Sequence, residues 1–149
     1  MQDRFRFRAW CFKPYKGNPY MAAYISGICF DNNQVSTYIT SNKEGFCVYD
    51  LDSVVLMQCT GLKDSEGKLI YEGDIVKNTW FTENLYASKK IEDFYKVIYD
   101  ANSLQYRFIL INGDDWLGWE DLQCESSIEI IGNIYENIEL LEESNNASN

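Results

Sequence analysis

The chain has 149 residues, of which 46% are hydrophobic and 15% aromatic, and it carries a formal net charge of −10 without a single histidine. This composition is unlike that of a disordered chain, and the length favours one domain or two small ones. Neither a membrane span nor a secretory signal is expected, since no apolar run approaches ~18 residues and the arginine-rich start has no apolar core. The missing histidine removes the commonest general base and metal ligand.

The charge is unevenly distributed. Residues 1–60 carry six basic and five acidic side chains, whereas residues 61–149 carry seven and eighteen, a net charge of −11. An acidic half repels phosphate, so broad electrostatic binding to nucleic acid is disfavoured. A basic partner protein, or a basic patch on another copy of this chain, fits the charge better, and no membrane partner is expected.

The five cysteines are widely spaced and form no CxxC pair; they are Cys11, Cys29, Cys47, Cys59 and Cys124. Without histidine, this pattern does not make an ordinary zinc site, and a nucleophilic cysteine would lack its usual base. We interpret the cysteines as reduced thiols on strands. No catalytic residue, metal or cofactor is predicted.

The first predicted strand, residues 4–10, alternates with a period of two, which places arginines on one face and apolar side chains on the other. The arginine face consists of Arg4, Arg6 and Arg8. These charges could contact phosphate, remain solvated, or pair with acidic residues of the C-terminal half, within one chain or between copies. Pairing is the preferred interpretation, because three charges are few against an acidic half.

Further strands are predicted at residues 21–30, 35–39, 46–49 and 52–59, separated by turns rich in Asn, Asp and Gly. The sequence therefore predicts a small β-rich unit at residues 1–55.

The next segment is marked by two turns. Asp64 to Gly67 suits a tight hairpin turn with glycine at the position that needs a positive φ, and Gly73-Asp74 suits a sharp turn whose carboxylate accepts local backbone N–H groups. Residues 78–96 lack clean alternation, so we predict a variable excursion there, with a short helix from Ser88 to Phe94.

The last part of the body returns to strands. A hairpin is predicted from residues 97–99 and 104–111, followed by a turn at Asn112-Gly113, a strand at 128–135 and one helical turn at 136–141. Together these elements predict a compact, antiparallel SH3-like barrel at residues 56–141, with a disordered polar tail at 142–149.

One acidic and aromatic cluster precedes the last strand. It includes Asp114, Asp115, Trp116 and Trp119. Several carboxylates would suit Mg²⁺ or Ca²⁺, but the spacing does not match an EF-hand loop. A solvated acidic turn held by its tryptophans is the preferred interpretation, with peptide binding as an alternative. We predict a possible interaction surface at these four residues and the three arginines.

Four short motifs in the sequence resemble those of the YopX family of phage and prophage proteins. They are Phe7–Trp10, residues 60–64 with Gly67, Ile70–Val76, and Ile131–Asn137. The chain departs from the family pattern at Cys11, Cys59 and Ile138. The resemblance implies a mainly β fold with an SH3-like barrel in the C-terminal part, and a prophage-encoded, cytoplasmic protein that self-associates. It implies no biochemical activity and supplies no catalytic residues.

The predicted function is therefore a non-enzymatic protein-interaction or assembly module, and the alternative is a nucleic-acid-binding protein that uses the barrel. A symmetric homo-oligomer is expected, because the chain has many large rings and a strand at its terminus. Its interface is predicted to use Phe5 or Phe7, or the arginine face against C-terminal carboxylates.

Overall fold

The protein is described by a computed structural model that covers residues 3–12, 17–39, 42–84, 87–111, 113, 116–118 and 127–142. It is mainly β, as predicted. The chain divides into two compact units, Met1–Cys59 (unit 1) and Thr60–Asn149 (unit 2). No helix within the described ranges is long and apolar enough to cross a membrane.

Unit 1 contains five complete strands and the start of a sixth, all paired antiparallel. They are β1 (Phe7–Cys11), β2 (Tyr20–Ala22), β3 (Tyr24–Cys29), β4 (Gln34–Tyr38), β5 (Phe46–Asp50) and β6 (Val54–Lys63). The strand order is β2-β1-β6 in one sheet and β3-β4-β5 in the other. Short 3-10 turns lie at Asp3–Phe5 and Leu51–Ser53.

The core of unit 1 is built mostly from small side chains. Ala9, Cys11 and Ala22 are fully buried there. The hydroxyl groups of Tyr20 and Tyr49 lie 3.1 Å apart, which satisfies two phenols at the edge of an apolar core. Burial raises the pKa of the Cys11 thiol and of the Tyr49 phenol, so both groups are neutral at physiological pH.

Two strand predictions in unit 1 are corrected. The first strand begins at Phe7 rather than Arg4, because the preceding 3-10 turn is closed by a 2.9 Å bond from the Arg6 N–H to the Asp3 carbonyl. The single strand expected at residues 21–30 is two strands that break at Ala23. Strand β2 pairs with β1, whereas β3 pairs with β4, so the break sends the chain from one sheet to the other.

Unit 2 contains the end of β6 and a five-stranded antiparallel sheet that curls into a half barrel. Its elements are β7 (Leu69–Tyr71), β8 (Asp74–Asn84), β9 (Ala87–Asp100), β10 (Gln105–Leu110), β11 (Trp116–Leu117), β12 (Ser127–Asn133) and the helical turn α1 (Glu139–Glu142). The order in the sheet is β11-β10-β9-β8-β12. This arrangement is compatible with the predicted SH3-like barrel.

The core of unit 2 lies on one face of this sheet and contains larger side chains than that of unit 1. Its buried members are Ile70, Val76, Tyr95, Val97, Phe108 and Ile128. Neighbouring strands contribute cross-strand pairs, with Phe108 opposite Val97 and Val76 opposite Tyr95. Such pairs are the main stabilising contacts of a sheet face.

Both predicted turns of unit 2 are confirmed. The Oδ1 atom of Asp64 accepts the N–H groups of Glu66 and Lys68 at 3.0 and 2.8 Å, and Gly67 has a φ of +83°. The Oδ2 atom of Asp74 accepts the Tyr71 N–H at 2.7 Å. These carboxylates replace the backbone partners that the turns remove.

The predicted excursion at residues 78–96 is wrong, as is its helix from Ser88 to Phe94. The segment belongs to one long hairpin, in which β8 and β9 pair continuously from Ile75 opposite Lys96 to Asn84 opposite Ala87. The helical turn α1 ends at Glu142, and residues 143–149 lie outside the described ranges, so the disordered tail stays a prediction.

Candidate interaction surfaces

The three arginines of the predicted surface do not lie along one strand. Arg8 is in β1 and half-buried, whereas Arg4 is in the 3-10 turn and Arg6 follows it. The Nε atom of Arg6 lies 3.3 Å from the Asp3 carboxylate, three residues earlier. An exposed local pair of this kind contributes little to stability.

Of the predicted acidic and aromatic cluster, only Trp116 can be placed, because Asp114, Asp115 and Trp119 lie outside the described residues. Trp116 is 45% exposed, and the guanidinium carbon of Arg107 lies 3.9 Å from the centroid of its ring. This is a cation–π contact between neighbouring strands. No group of three or more potential metal-ligating side chains occurs in the described part of the chain.

Arg107 is itself held by Asp100, which the sequence reasoning missed. Its Nε atom lies 3.1 Å from Asp100 Oδ2, which also accepts the Ser103 hydroxyl at 2.8 Å. The Ser103 hydroxyl, the Asn102 N–H and the Arg107 charge hold the pKa of the Asp100 carboxyl below its usual value. The signal was present, since Asp-x-Asn-Ser is a favourable turn sequence beside a strand that carries an arginine.

The outer face of the five-stranded sheet carries paired charges. Lys77 Nζ lies 2.7 Å from Glu129 Oε2, and Lys90 Nζ lies 2.6 Å from Glu92 Oε1. The hydrogen bond to Glu129 raises the pKa of the Lys77 ammonium, and the one from Lys90 lowers the pKa of the Glu92 carboxyl. These pairs offset much of the positive charge that the face would offer to phosphate.

A row of three rings, of which the two outer ones are exposed and the middle one is half-buried, crosses the outer face of β3-β4-β5 in unit 1. It consists of Tyr24, Tyr38 and Phe46, which occupy directly paired positions on the three strands, and we call it the aromatic row. The rings of Tyr38 and Phe46 are 5.4 Å apart. Tyr24 is 45% exposed and Phe46 57%, and Val48 beside them is also exposed. Contiguous exposed apolar surface is common at interaction sites, whereas scattered exposed apolar side chains are ordinary.

Strand β5 is also an edge. It pairs with β4 along its whole length, and no strand in the described ranges pairs with its other side. The strand, FCVYD, contains no lysine or proline, which are the residues that commonly protect an edge. The opposite edge of the sheet, β3, has an irregular register between Ile25 and Gly27, and such a bulge discourages further pairing.

The outer end of the β8–β9 hairpin forms a two-stranded arm, which we define as residues 80–84 and 87–91. In the described residues, β12 pairs with β8 as far as Thr79, and β10 pairs with β9 as far as Tyr95. Within the described residues the arm therefore has no third strand. Phe81 is exposed on it, and Trp80 Nε1 donates a 2.8 Å bond to Asp93. An isolated two-stranded ribbon is only marginally stable in water, so such an arm gains from a partner.

The motif at residues 131–137 stabilises a turn. The Oδ1 atom of Asn133 accepts the N–H groups of Tyr135 and Glu136, both at 3.0 Å, and Asn137 Oδ1 accepts the Asn133 N–H. A side chain at Gly132 would collide with Asn137 Oδ1. These residues hold a turn after β12, and their roles do not point to chemistry.

Comparison with known proteins gives one family and one fold. The model of the YopX protein family matches residues 6–142. The crystal structure of protein EF1440 from Enterococcus faecalis is similar, with a TM-score of 0.55 and 24% identity over 91% of this chain and 96% of that chain. At this identity the similarity shows the fold alone. No curated protein matches the chain.

Proposed function

Because the chain belongs to the YopX family, we propose that it is a prophage-encoded, cytoplasmic protein that acts without catalysis as a protein-interaction or assembly module and associates with itself. The observation that carries this proposal is the aromatic row. Rings at adjacent positions on three strands expose apolar area that a partner would remove from water.

A second copy of the chain is the partner that we propose. The aromatic row lies on the sheet whose edge strand β5 has no protecting lysine or proline. An interface there would combine apolar contact with new backbone hydrogen bonds, a combination that also operates in β-strand addition. A host or phage protein that binds the same surface is the other partner compatible with the proposal.

The use of carboxylates supports a role without catalysis. Asp64 and Asp74 are buried and bind backbone N–H groups of turns, and Asp100 binds a turn and an arginine. Catalytic carboxylates instead face a cleft in which one pKa is raised. The pKa values of the Glu92 and Asp100 carboxyl groups are instead lowered, by hydrogen bonds and cations.

Light scattering on the purified protein tests the proposal. At ~100 μM and low salt, where mass action favours association, we expect a mass that is a multiple of 17.4 kDa. Phe46→Ser in the aromatic row should lower that mass. Phe30→Ser is the matched control, because Phe30 is also an exposed phenylalanine of unit 1 but lies in the turn after β3. A monomer at this concentration would contradict self-association.

Nucleic-acid binding is the alternative, and one observation favours it. The outer face of the five-stranded sheet combines cations with rings, with Lys77 opposite Phe94 and Arg107 over Trp116. Single-stranded nucleic acids bind surfaces of this composition. An electrophoretic shift at about 50 mM salt decides the matter, since low salt strongly favours phosphate contacts. Absence of a shift at micromolar protein would exclude this alternative.

A further inference from the structure

We propose that copies of this protein associate by strand addition, in which residues 87–91 of β9, on the arm of one copy, pair with β5 of a second copy. The inference rests on the proposed function and specifies its interface. In the described residues, the arm has no third strand and β5 has a free edge. The inference pairs these two edges with each other.

The open edge of the arm belongs to β9. One side of this strand pairs with β8 as far as Ala87, while its other side pairs with β10 only from Asp100 to Tyr95. One more backbone bond, from the Ile111 N–H to the Phe94 carbonyl, extends this contact. Residues 87–93 therefore present an edge without a strand partner in the described part of the chain.

The free edge of β9 is long enough to cover β5. Strand β5 has five residues, and its free edge extends along all of them. A strand of five residues spans about 17 Å, and residues 87–91 supply this length from the longer free edge at residues 87–93. The backbone groups of β5 can thus be satisfied over the whole strand by the arm, without displacing any pair that the structure contains.

Charge selects this combination over the two alternatives. The arm edge exposes Lys89 and Lys90, of which Lys90 is already paired with Glu92, whereas β5 ends in the exposed residue Asp50. Pairing β9 with β9 would bring lysines together, and pairing β5 with β5 would bring no cation to Asp50. Like charges on neighbouring strands are destabilising and opposite charges are favourable, so the arm and the β5 edge are complementary.

The proposed register of this pairing predicts a specific contact between Lys89 and Asp50. When residues 87–91 are aligned with residues 46–50, Lys89 lies opposite Val48 in either strand direction. Paired residues share a face, so Lys89 would share its face with Phe46, Val48 and Asp50. Asp50 is then the diagonal neighbour of Lys89 at about 7–8 Å between Cα atoms, within reach of a long side chain. The aliphatic part of Lys89 would cover Val48, which is otherwise 48% exposed.

Photo-cross-linking tests the contact directly. A benzophenone amino acid replaces Phe46, and equal amounts of ¹⁴N-labelled and ¹⁵N-labelled protein are mixed before irradiation so that mass spectrometry separates links between copies from links within one. We expect mixed-isotope cross-links to the peptide that contains residues 87–91. Cross-links between copies that instead join β5 to β5, or to any other segment, would overturn the inference.

A charge exchange tests the same contact without a probe. Lys89→Glu should weaken self-association about 5- to 10-fold, since it replaces a favourable cross-strand pair by a repulsive one, and adding Asp50→Lys should restore it. Lys68→Glu is the matched control, because Lys68 is an exposed lysine of the same unit in the turn before β7. Equal effects of Lys89→Glu and Lys68→Glu, or no recovery in the double variant, would overturn the inference.

Failure of this inference can be distinguished from failure of the proposed function. Light scattering on the unmodified protein reports self-association alone, and a monomer would contradict both. An oligomer whose cross-links avoid the arm would contradict the arm-to-edge contact and leave self-association in place.

Discussion

The cores of the two units differ in the size of their buried side chains. Unit 2 buries Phe108 and Tyr95 in its core and gives its outer face ion pairs such as Lys77 with Glu129. Unit 1 has a core of small residues, and it exposes Phe46 together with other rings and aliphatic side chains. Apolar burial is the main source of stability, so the larger buried side chains of unit 2 should contribute more to stability than the smaller ones of unit 1.

The largest expected effect is in the core of unit 2. Phe108→Ala should lower the free energy of unfolding by about 3–5 kcal/mol, because Phe108 is fully buried and a large cavity would remain. Val35→Ala in the core of unit 1 should cost about 1–3 kcal/mol, since Val35 is fully buried but smaller. Urea unfolding measures both. Equal losses would contradict the difference between the two cores.

The next effect concerns the turns of unit 2. Asp64→Ala should cost about 2 kcal/mol, because it removes a buried carboxylate that accepts two short bonds from the backbone. Asp31→Ala is the control, since Asp31 is an exposed turn residue of unit 1. Thermal or urea unfolding of the two variants gives the comparison, and a control that is as destabilised as Asp64→Ala would speak against a special role for this turn.

A smaller effect is expected from backbone conformation. Gly67→Ala should destabilise the protein by about 1 kcal/mol, because Gly67 has a φ of +83° and no atom near the position of a new Cβ. The loss would come from the backbone alone. Gly27→Ala also meets no atom within 4 Å, and Gly27 lacks the positive φ. The same unfolding assay should therefore find Gly27→Ala nearly neutral, and a loss equal to that of Gly67→Ala would refute the explanation.

The smallest effect concerns pH and the contact beside Trp116. The pKa of Asp100 is lowered in the folded protein, so the stabilisation from its bonds is present at neutral pH and is lost as the pH falls through that lowered pKa. Carboxyl-carbon NMR should show Asp100 titrating below an ordinary aspartate, and Asp100→Asn should remove that signal. A normal titration would mean that Ser103 and Arg107 do not hold this carboxylate in solution.

The turns could be predicted from sequence because their chemistry is local. Asp64 with Gly67, and Gly73 with Asp74, each satisfy a backbone requirement within a few residues of themselves. The contacts of Arg107 with Asp100 and Trp116 could be inferred only in part, since they depend on the register of three strands. The motifs that carry the family resemblance include these two turns, so the resemblance also predicts them.

The sequence does not predict the strands of the arm, because the two faces of the arm do not differ in polarity. Trp80 and Phe81 are consecutive and point to opposite faces of β8, so rings lie on both sides and the polar–apolar alternation disappears. The first strand was extended too far for the opposite reason. Arg4 and Arg6 continue the alternation of β1, but the local 3-10 turn with Asp3 overrides it.

In the described residues, β8 and β9 have neighbouring strands along one part of their length and none along the other. Near Val76 and Tyr95 the hairpin has neighbouring strands on both sides, whereas near Phe81 and Lys90 the described residues provide none. The free energy of local opening should therefore fall along each strand, and backbone amides of the arm should exchange with solvent sooner than those near the core. Binding that orders such a ribbon costs conformational entropy, which favours complexes that can still dissociate.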